Sequence, residues 1–400
     1  MTDTQANQQD LTVRGESIER VFGIYVDGRY LVNRRYQRKL IWTLEEKIAF
    51  IDSIRRGYPV PIILLAEDRA TGQSQLEIID GMQRLNAVMS FIENEYAVDG
   101  CYFDLNSMAK AKELLDEGIL TQRQPVMDRA TCVRIAGYQL PFSIFEFSSE
   151  ASVDEVFRRI NSGGRQLSRQ ELRAAGAIGL YPSAVRIIAS KIRGDASHSD
   201  FLSLNDMKKI SITNRDLHYG VAVDDVFWIK HGILSRDQVR QSRDEEQVAD
   251  ILAYMVSDEP VSSRTELLDD YFGLGGEEAS EARREAMDAM VQRRTLGLVV
   301  ADFQRTLDEL ILTIDSSGDT FNRLVFSSPQ QTAPRYFQAI FLAFYQLIVK
   351  IIKRLGIGPL SSPECAILPM QFKCKKAVDG VPINEAVLWM LPLGFSSLPL

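Results

Sequence analysis

Apolar residues recur at the strand period in some segments of this chain and at the helical period in others. Residues 76–79, LEII, form a short β-branched run that predicts a strand. Downstream, apolar residues recur at spacings of three and four, which predicts a helix: Met82, Leu85, Met89 and Ile92. Asp80-Gly81 stands between the two segments, so we expect a strand, a tight turn and a helix in immediate succession.

Similar patterns predict further elements in the first half of the chain. Asp27-Gly28 between two apolar runs predicts a hairpin with strands 24–26 and 30–32. Capping boxes predict helix starts at 43–46, 152–155 and 168–171, and Gly57 would close the first of these helices. Strands are predicted at 62–66 and 139–147, and a helix at 107–118.

The second half of the chain has helical patterns of mixed charge. Residues 277–314 predict one long amphipathic helix or a broken pair, with Val299, Phe303, Leu307, Ile311 and Ile314 on one face. Residues 336–355 are strongly apolar, but Gln338, Gln346 and Lys350 interrupt them. A membrane span needs about 20 nearly uncharged residues, so this segment predicts a buried helix ended by Gly356.

These patterns predict an α+β domain at residues 15–175, an all-helical domain at 176–400 and a disordered tail at 1–14. Of the 400 residues, 45% are hydrophobic and 25% charged, which is typical of a soluble chain with two domains. The formal charge of −8 argues against a polyanion-binding protein as a whole. Four scattered cysteines without a C-x-x-C pair or a secretory signal predict reduced thiols, a cytoplasmic location and no membrane anchor.

The start of the helix at Met82 is the best candidate for chemistry. Arg84 falls in its first turn, beside free backbone N–H groups and the positive end of the helix dipole. Gly81 would let an anion approach the backbone, and the guanidinium can donate a fork of hydrogen bonds to its oxygens. Taken alone, the string also fits an ordinary strand-turn-helix with a solvated arginine.

Positive charge is concentrated upstream of this helix. The basic residues are Arg29, Arg34, Arg35, Arg38, Lys39, Lys47, Arg55 and Arg56. Arg55 and Arg56 stand at a helix end, where a solvated face is the simpler interpretation. Arg34, Arg35 and Arg38 are candidates for phosphate contacts on a nucleotide or on DNA, and we assign possible DNA contact to Arg34 and Arg35.

Three sequence blocks together resemble a known family. The first is Tyr36-Gln37-Arg38 followed by Trp42, the second is residues 80–84, DGMQR, and the third is residues 157–172. They resemble the domain of unknown function 262 family, which includes the N-terminal half of GmrSD-type restriction enzymes and of phosphorothioate-sensing defence proteins. Met82 departs from the family's usual glutamine. Residues 81–87 also fit the G-x-x-R-x-x-A motif of the similar ParB and sulfiredoxin superfamily, so the resemblance implies a ParB/sulfiredoxin-like N-terminal fold.

The resemblance implies a site for a nucleoside triphosphate (GTP, CTP or ATP) with Mg²⁺, and hydrolysis of that triphosphate. Arg84 would bind the β- and γ-phosphates, Gly81 would supply an N–H donor, and Arg38 would add charge. Asp80 would hold magnesium or position water, with a plain helix cap as its other interpretation, and Gln83 would orient water. The remaining pocket residues would be Tyr36, Gln37, Asn161 and Gly164. From the residues alone, the glycines at 163–164 predict a turn between two helices.

Motifs that are missing narrow the function further. None of the three histidines lies in an H-N-H or H-E-x-x-H context, and there is no G-x-x-x-x-G-K-[ST] phosphate loop. The family's restriction members carry a histidine-type nuclease in their C-terminal half, and these residues contain none. The resemblance, taken with the absence of such a nuclease from these residues, implies a nucleotide-hydrolysing switch of a bacterial anti-phage or restriction system. The alternative is a non-hydrolysing DNA-binding or adaptor protein that recruits a separate nuclease; a nuclease with an unfamiliar site is a third interpretation.

Overall fold

A computed structural model gives the structure of the chain. It describes residues 11–34, 39–68, 75–146, 168–174, 177, 179–197, 199–210, 212–213, 220–257, 265–274, 278–328 and 332–351. The chain divides into two compact units. Unit 1 combines residues 1–166 with 195–223, and unit 2 combines residues 167–194 with 224–400. The chain thus leaves unit 1 after residue 166, returns at residue 195 and leaves again after residue 223.

Helices and strands alternate in the first part of the chain. They are β1 (Leu11–Ser17), α1 (Ile18–Val26), β2 (Tyr30–Asn33), α2 (Leu44–Arg55), β3 (Ile63–Asp68), β4 (Gln75–Asp80), α3 (Met82–Ile92), α4 (Ala109–Asp116), α5 (Arg129–Gly137) and β5 (Gln139–Glu146). Two helices of unit 2 follow, α6 (Arg169–Ala174) and α7 (Leu180–Arg193). The chain then returns to unit 1 as β6 (Phe201–Ser203), α8 (Leu204–Ile210), β7 (Ile212–Thr213) and β8 (Val221–Ala222).

The rest of unit 2 is helical where it is described. Its helices are α9 (Phe227–Lys230), α10 (Arg236–Arg240), α11 (Arg243–Val256), α12 (Thr265–Tyr271), α13 (Glu278–Arg294), α14 (Leu296–Ser317), α15 (Phe321–Val325) and α16 (Pro334–Tyr345). Helix α16 continues as a π-helical segment, Gln346–Ile351. The predicted fold class is confirmed: a sheet with helices in the N-terminal part, and a helical C-terminal region.

A six-stranded mixed sheet organises unit 1, with the strand order β1-β5-β3-β4-β2-β6. β1 runs antiparallel to β5, and β5 parallel to β3. β4 runs antiparallel to β3 and parallel to β2. β6 closes the far edge by pairing antiparallel with β2, so the segment that returns from unit 2 completes the sheet. β7 and β8 form a separate parallel pair.

Apolar side chains from the sheet and its helices form the core of unit 1. Fully enclosed members come from α1, β3, β4, α3 and β5, among them Phe22, Ile63, Ile78, Leu85 and Phe142. Burial of such side chains away from water is the main force that stabilises the packing. The strand-turn-helix at residues 75–92 lies within this core, so its geometry is fixed on both sides of Gly81.

The predicted hairpin at residues 24–32 is wrong. Residues 18–26 form helix α1, which Ser17 caps by accepting a hydrogen bond from the N–H of Arg20 at 3.3 Å. Its buried residues, Ile18, Val21, Phe22 and Tyr25, recur at the helical period. Asp27-Gly28 ends this helix, with Gly28 at φ +69°. A glycine in the left-handed region serves helix ends as well as hairpins, so the turn signal alone did not separate them.

The disordered tail predicted at residues 1–14 needs a correction at its end. Residues 11–14 belong to strand β1, which pairs with β5 over its whole length, from Leu11 opposite Phe145 to Ser17 opposite Gln139. Backbone pairing with a distant strand orders this segment although its own sequence is mostly polar. Residues 1–10 lie outside the described residues.

Several other predicted elements are confirmed. Helix α2 begins with the expected capping box: Thr43 N–H donates to Glu46 Oε2 at 2.8 Å, and Glu46 N–H to Thr43 Oγ1 at 3.2 Å. The segment 277–314 is a broken pair, α13 and α14, interrupted at Thr295 with φ +67°. Of its five predicted core residues, Ile311 is the one that is not fully buried. The helix predicted after residue 152 lies outside the described residues.

A membrane span is not found among the described residues: no helix there is both long and apolar enough to cross a bilayer.

Candidate anion site at the start of helix α3

Gly81 joins strand β4 to helix α3, and the fold requires a glycine there for two reasons. Its φ is +105°, a conformation that L side chains rarely adopt. A Cβ at this position would also lie 3.0 Å from both Cγ atoms of Ile63 in the neighbouring strand. Gly81 makes no side-chain cap, so the backbone N–H groups of the first turn of α3 receive no hydrogen bond from that position.

Arg84 is not the solvated arginine of the simpler interpretation. Its side chain is 11% exposed, and its Nη1 donates to the carbonyl oxygen of Ile62 at 2.8 Å. Its Nη2 forms a short ion pair with Asp80, four residues earlier on the same turn. The helix start therefore carries a largely buried guanidinium whose hydrogen bonds, within the described part of the chain, go to these two acceptors.

The Asp80 carboxylate partly compensates the positive charge of Arg84 toward an anion at this site. The Asp80 side chain is 45% exposed, so solvent and ligands reach the carboxylate more easily than the guanidinium. A carboxylate at a helix N-terminus is itself stabilised by the helix dipole. Because a guanidinium has five N–H donors, Arg84 keeps donors beyond the two in use. An anion at this site would nevertheless compete with Asp80 for Arg84.

Gln83 holds a neighbouring loop and does not point at open solvent. Its Oε1 accepts from the backbone N–H groups of Ile41 at 3.0 Å and Trp42 at 3.3 Å. Its Nε2 donates to the carbonyl oxygen of Lys39 at 2.9 Å. This loop directly follows Tyr36-Gln37-Arg38, so Gln83 ties the second sequence block to the end of the first.

Other predicted site residues lie outside the described residues: Arg35, Tyr36, Gln37, Arg38, Asn161 and Gly164. The described residues on either side of positions 35–38 have defined contacts. Arg34 precedes these positions, and its N–H donates to Asp200 O at 2.6 Å. Lys39, which follows the block, is bound by Gln83. Arg34 is thus bound to the residue before strand β6, and Lys39 to helix α3.

Arg34 does not have the exposure that its predicted DNA contact needs. It is 5% exposed, and its Nη2 donates to Asp195 O at 2.8 Å, with Asp195 Oδ2 at 3.9 Å. Asp195 is completely buried. A buried charge persists in a protein when it is paired and hydrogen-bonded, so Arg34 is a structural residue of unit 1 and the DNA assignment is corrected.

Three other basic residues upstream of α3 are paired with carboxylates or buried: Arg55, Arg56 and Lys47. Arg55 pairs with Asp52 and Asp99, each at 2.6 Å, and Arg56 pairs with Asp52 at 2.7 Å. Lys47 is 4% exposed and lies 5.8 Å from the centre of the Tyr96 ring. Burial lowers the pKa of Lys47 to about 8. The linear concentration of basic residues is therefore not a free basic surface at these positions.

Sequence reasoning missed two contributors because both act through backbone oxygens. Ile62 and Lys39 present carbonyl groups to Arg84 and Gln83, and a carbonyl leaves no mark in the residue type.

The carboxylate at the start of α3 is that of Asp80, whose side chain is 45% exposed. Among the described residues, no group of three or more His, Cys, Asp or Glu side chains is placed to hold a metal ion. Mg²⁺ usually keeps several waters and needs one or two carboxylates beside the phosphates of its ligand. The half-exposed carboxylate of Asp80 meets that requirement.

Fold and site together define an α+β unit with a glycine-entered helix and a buried arginine at its start. Residues 21–178 match the family model of the GmrSD restriction endonuclease, N-terminal domain. The predicted resemblance to the domain of unknown function 262 family is therefore confirmed for this segment. All three sequence blocks lie within the matched residues. No curated protein matches the chain.

Proposed function

We propose that the chain binds a nucleoside triphosphate with Mg²⁺ at the start of α3 and hydrolyses it slowly, as a cytoplasmic switch in a bacterial anti-phage restriction system. The family supports the restriction setting. The observation that carries the nucleotide site is the largely buried Arg84 at an uncapped, glycine-entered helix N-terminus. Such helix starts bind phosphates because N–H groups and the dipole both favour negative charge there.

Each residue of the site has a role in this proposal. The N–H groups of the first turn of α3 and the Arg84 guanidinium would donate to phosphate oxygens. Asp80 would hold the Mg²⁺ that accompanies the nucleotide, and this ion neutralises phosphate charge. Gln83 would position the loop that follows Tyr36-Gln37-Arg38. Arg38, Asn161 and Gly164 would complete the pocket, as the family pattern implies.

The Asp80–Arg84 ion pair leads to a specific prediction about nucleotide affinity. Without nucleotide, Asp80 and Arg84 form an ion pair with each other. When nucleotide and Mg²⁺ bind, Asp80 would contact the metal ion and Arg84 would contact the phosphates. Asp80→Asn should therefore tighten triphosphate binding in the absence of Mg²⁺ by about tenfold, the effect of roughly 1.4 kcal/mol. The same change should remove the gain in affinity that Mg²⁺ gives the wild type.

Calorimetric titration with CTP, GTP and ATP, with and without Mg²⁺, measures this exchange. Asp52→Asn is the matched control, because Asp52 and Arg56 form another i,i+4 pair, on helix α2. Arg84→Ala should abolish both binding and phosphate release. Unchanged phosphate release in Arg84→Ala would reject the proposed pocket.

The second candidate is a non-hydrolysing adaptor that recruits a separate nuclease or defence protein. One observation favours it: the Gln83 amide is engaged by backbone groups of residues 39–42 instead of being free to orient water. Saturable nucleotide binding without phosphate release would support this candidate. DNA contact is tested by the salt dependence of affinity, because neutralised phosphates release counterions. Arg34→Ala should leave that dependence unchanged, since Arg34 is buried.

A further inference from the structure

A polar cavity lies among the helices of unit 2, within residues that the proposed function does not use. Its volume is about 360 Å³, within the range of small-molecule sites. Helices α10, α11 and α16 and the start of α12 contribute its walls. The polar residues that the argument uses are Arg243, Glu246, Gln247, Asp250 and Arg335.

Gln247 supplies a buried donor that lacks an acceptor. The residue is 9% exposed, and its Nε2 has no hydrogen-bond partner among the described residues. Buried polar atoms are nearly always hydrogen-bonded, and an unpaired one costs free energy. Because Gln247 lines the cavity, a ligand there can supply the missing acceptor.

The start of α16 adds two further kinds of donor. Pro334 occupies its first turn, and Ala333 at the N-cap provides no side-chain cap, so this twelve-residue helix begins with uncapped N–H groups. Arg335, in the same turn, is exposed and makes no ion pair within the described ranges. A buried amide, a helix start and an unpaired guanidinium can all donate hydrogen bonds to the same kind of group, and a negatively charged oxygen suits all three.

The carboxylates of the cavity limit how much negative charge a ligand can carry. Glu246 pairs with Arg243 and, at 3.1 Å, with the buried Arg173, and Asp250 also borders the cavity. Arg173 is further fixed by Asp269 at 2.7 Å and by the Thr265 carbonyl at 3.0 Å. The walls are therefore rigid and close to neutral, which suits a small oxyanion and disfavours a dense polyanion.

From this geometry we propose that unit 2 binds a small molecule through a phosphate or carboxylate group, held by Gln247, Arg335 and the first turn of α16. This site is separate in sequence from the start of α3 and does not depend on the function proposed there. The shared chemistry is the oxyanion, and two probes distinguish its sources: inorganic phosphate for a tetrahedral group and acetate for a planar one.

The test uses the full chain, with calorimetric titration of each probe and phosphorus NMR of inorganic phosphate. We expect saturable binding of at least one probe. Gln247→Glu, which is nearly isosteric, and Arg335→Ala should each weaken it about tenfold or more, as expected for hydrogen bonds to a charged group. Arg335→Lys should retain part of the affinity, because the charge remains.

Two controls locate the binding. Arg323→Ala removes an arginine that is 66% exposed and paired with Asp319 on α15, and it should change nothing. Arg84→Ala removes any binding of the probes at the start of α3, and in that background Gln247→Glu and Arg335→Ala should still weaken the remaining binding, which separates the two sites. The proposal is overturned if neither probe saturates, because water then fills the cavity. It is overturned equally if Gln247→Glu and Arg335→Ala bind as the wild type does, or if Arg84→Ala alone removes all binding of the probes.

Discussion

Gly81 combines a backbone requirement with a packing requirement, and the two can be measured separately. Gly28 also has a positive φ, +69° against +105° at Gly81, but a Cβ there would meet nothing within 4 Å. Gly28→Ala should therefore cost only the conformational term, about 1 kcal/mol in the free energy of unfolding. Gly81→Ala adds the close approach to Ile63 and should cost about 3 kcal/mol. Urea unfolding of both variants measures the difference, and equal costs would contradict the role of Ile63.

Burial of the charged Lys47 side chain lowers the free energy of unfolding. Below pH 8 this lysine is protonated in both the folded and the unfolded chain, so its burial reduces stability by roughly 3 kcal/mol. Between its folded pKa of about 8 and the ordinary value of 10.5, the unfolded chain binds a proton that the folded chain does not. In this window the free energy of unfolding rises with pH.

Replacing Lys47 tests directly whether the free energy of unfolding rises with pH because of this residue. Lys47→Met should raise the free energy of unfolding at pH 7 by up to about 3 kcal/mol, and the gain should shrink as the pH rises from 8 to 10.5. Lys112→Met, at a 45% exposed side chain, should show no such trend. A gain that stays constant with pH would contradict the burial of a charged lysine.

At the level of elements, helix α8 is joined to the end of α3 by one lysine. Lys208 Nζ lies 2.7 Å from Glu93 Oε2 and 3.1 Å from Glu95 Oε1, and all three side chains are mostly buried. Tyr25 OH also donates to Glu93, at 3.2 Å. Burial raises the pKa of Glu93, which means that its charge depends on these partners.

Lys208→Met would leave two neighbouring carboxylates without their cation. Breaking such a buried arrangement should lower the free energy of unfolding by roughly 3 kcal/mol at pH 7. Lys209→Met is the matched control, because Lys209 is 70% exposed and its pair with Asp206 should contribute less than about 1 kcal/mol. Chemical denaturation measures both variants; similar small losses would mean that the Lys208 network adds little.

Elements with local signals were predictable, and elements that depend on distant partners were not. The capping box of α2 and the periodicity of α3 are each encoded within a few neighbouring residues. Strand β6 has three residues, and it exists because Phe201, Leu202 and Ser203 pair with Asn33, Val32 and Leu31. Arg34 was misassigned for the same reason, since its partner Asp195 lies 161 residues further along the chain. At the site, Gln83 was recognised as important, but its contacts with residues 39–42 required the folded loop.

For the whole molecule, we expect the stability of unit 1 by itself to depend on residues 195–223, the segment that returns to it from unit 2. Leu204 and Met207 of α8 are 1% and 0% exposed in the core of that unit. A fragment of residues 11–223 should therefore be more stable than one of residues 11–175, and the burial of these two side chains alone should contribute about 4 kcal/mol. Thermal unfolding compares the fragments. Leu204→Ser together with Met207→Ser in the longer fragment should remove that contribution, and equal stability of the two fragments would contradict the prediction.

Strand β6 also sets an order of events during synthesis. The edge of β2 that it covers is translated near the start of the chain, whereas β6 emerges from the ribosome only after the two helices that precede it. Phe201 follows Asn33 by 168 residues, which take about 8 to 34 s to translate at about 5–20 residues per second, and during this time the edge of β2 has no partner from β6. Truncated translation products that stop within this interval would keep that edge exposed and would be prone to aggregate or to need a chaperone.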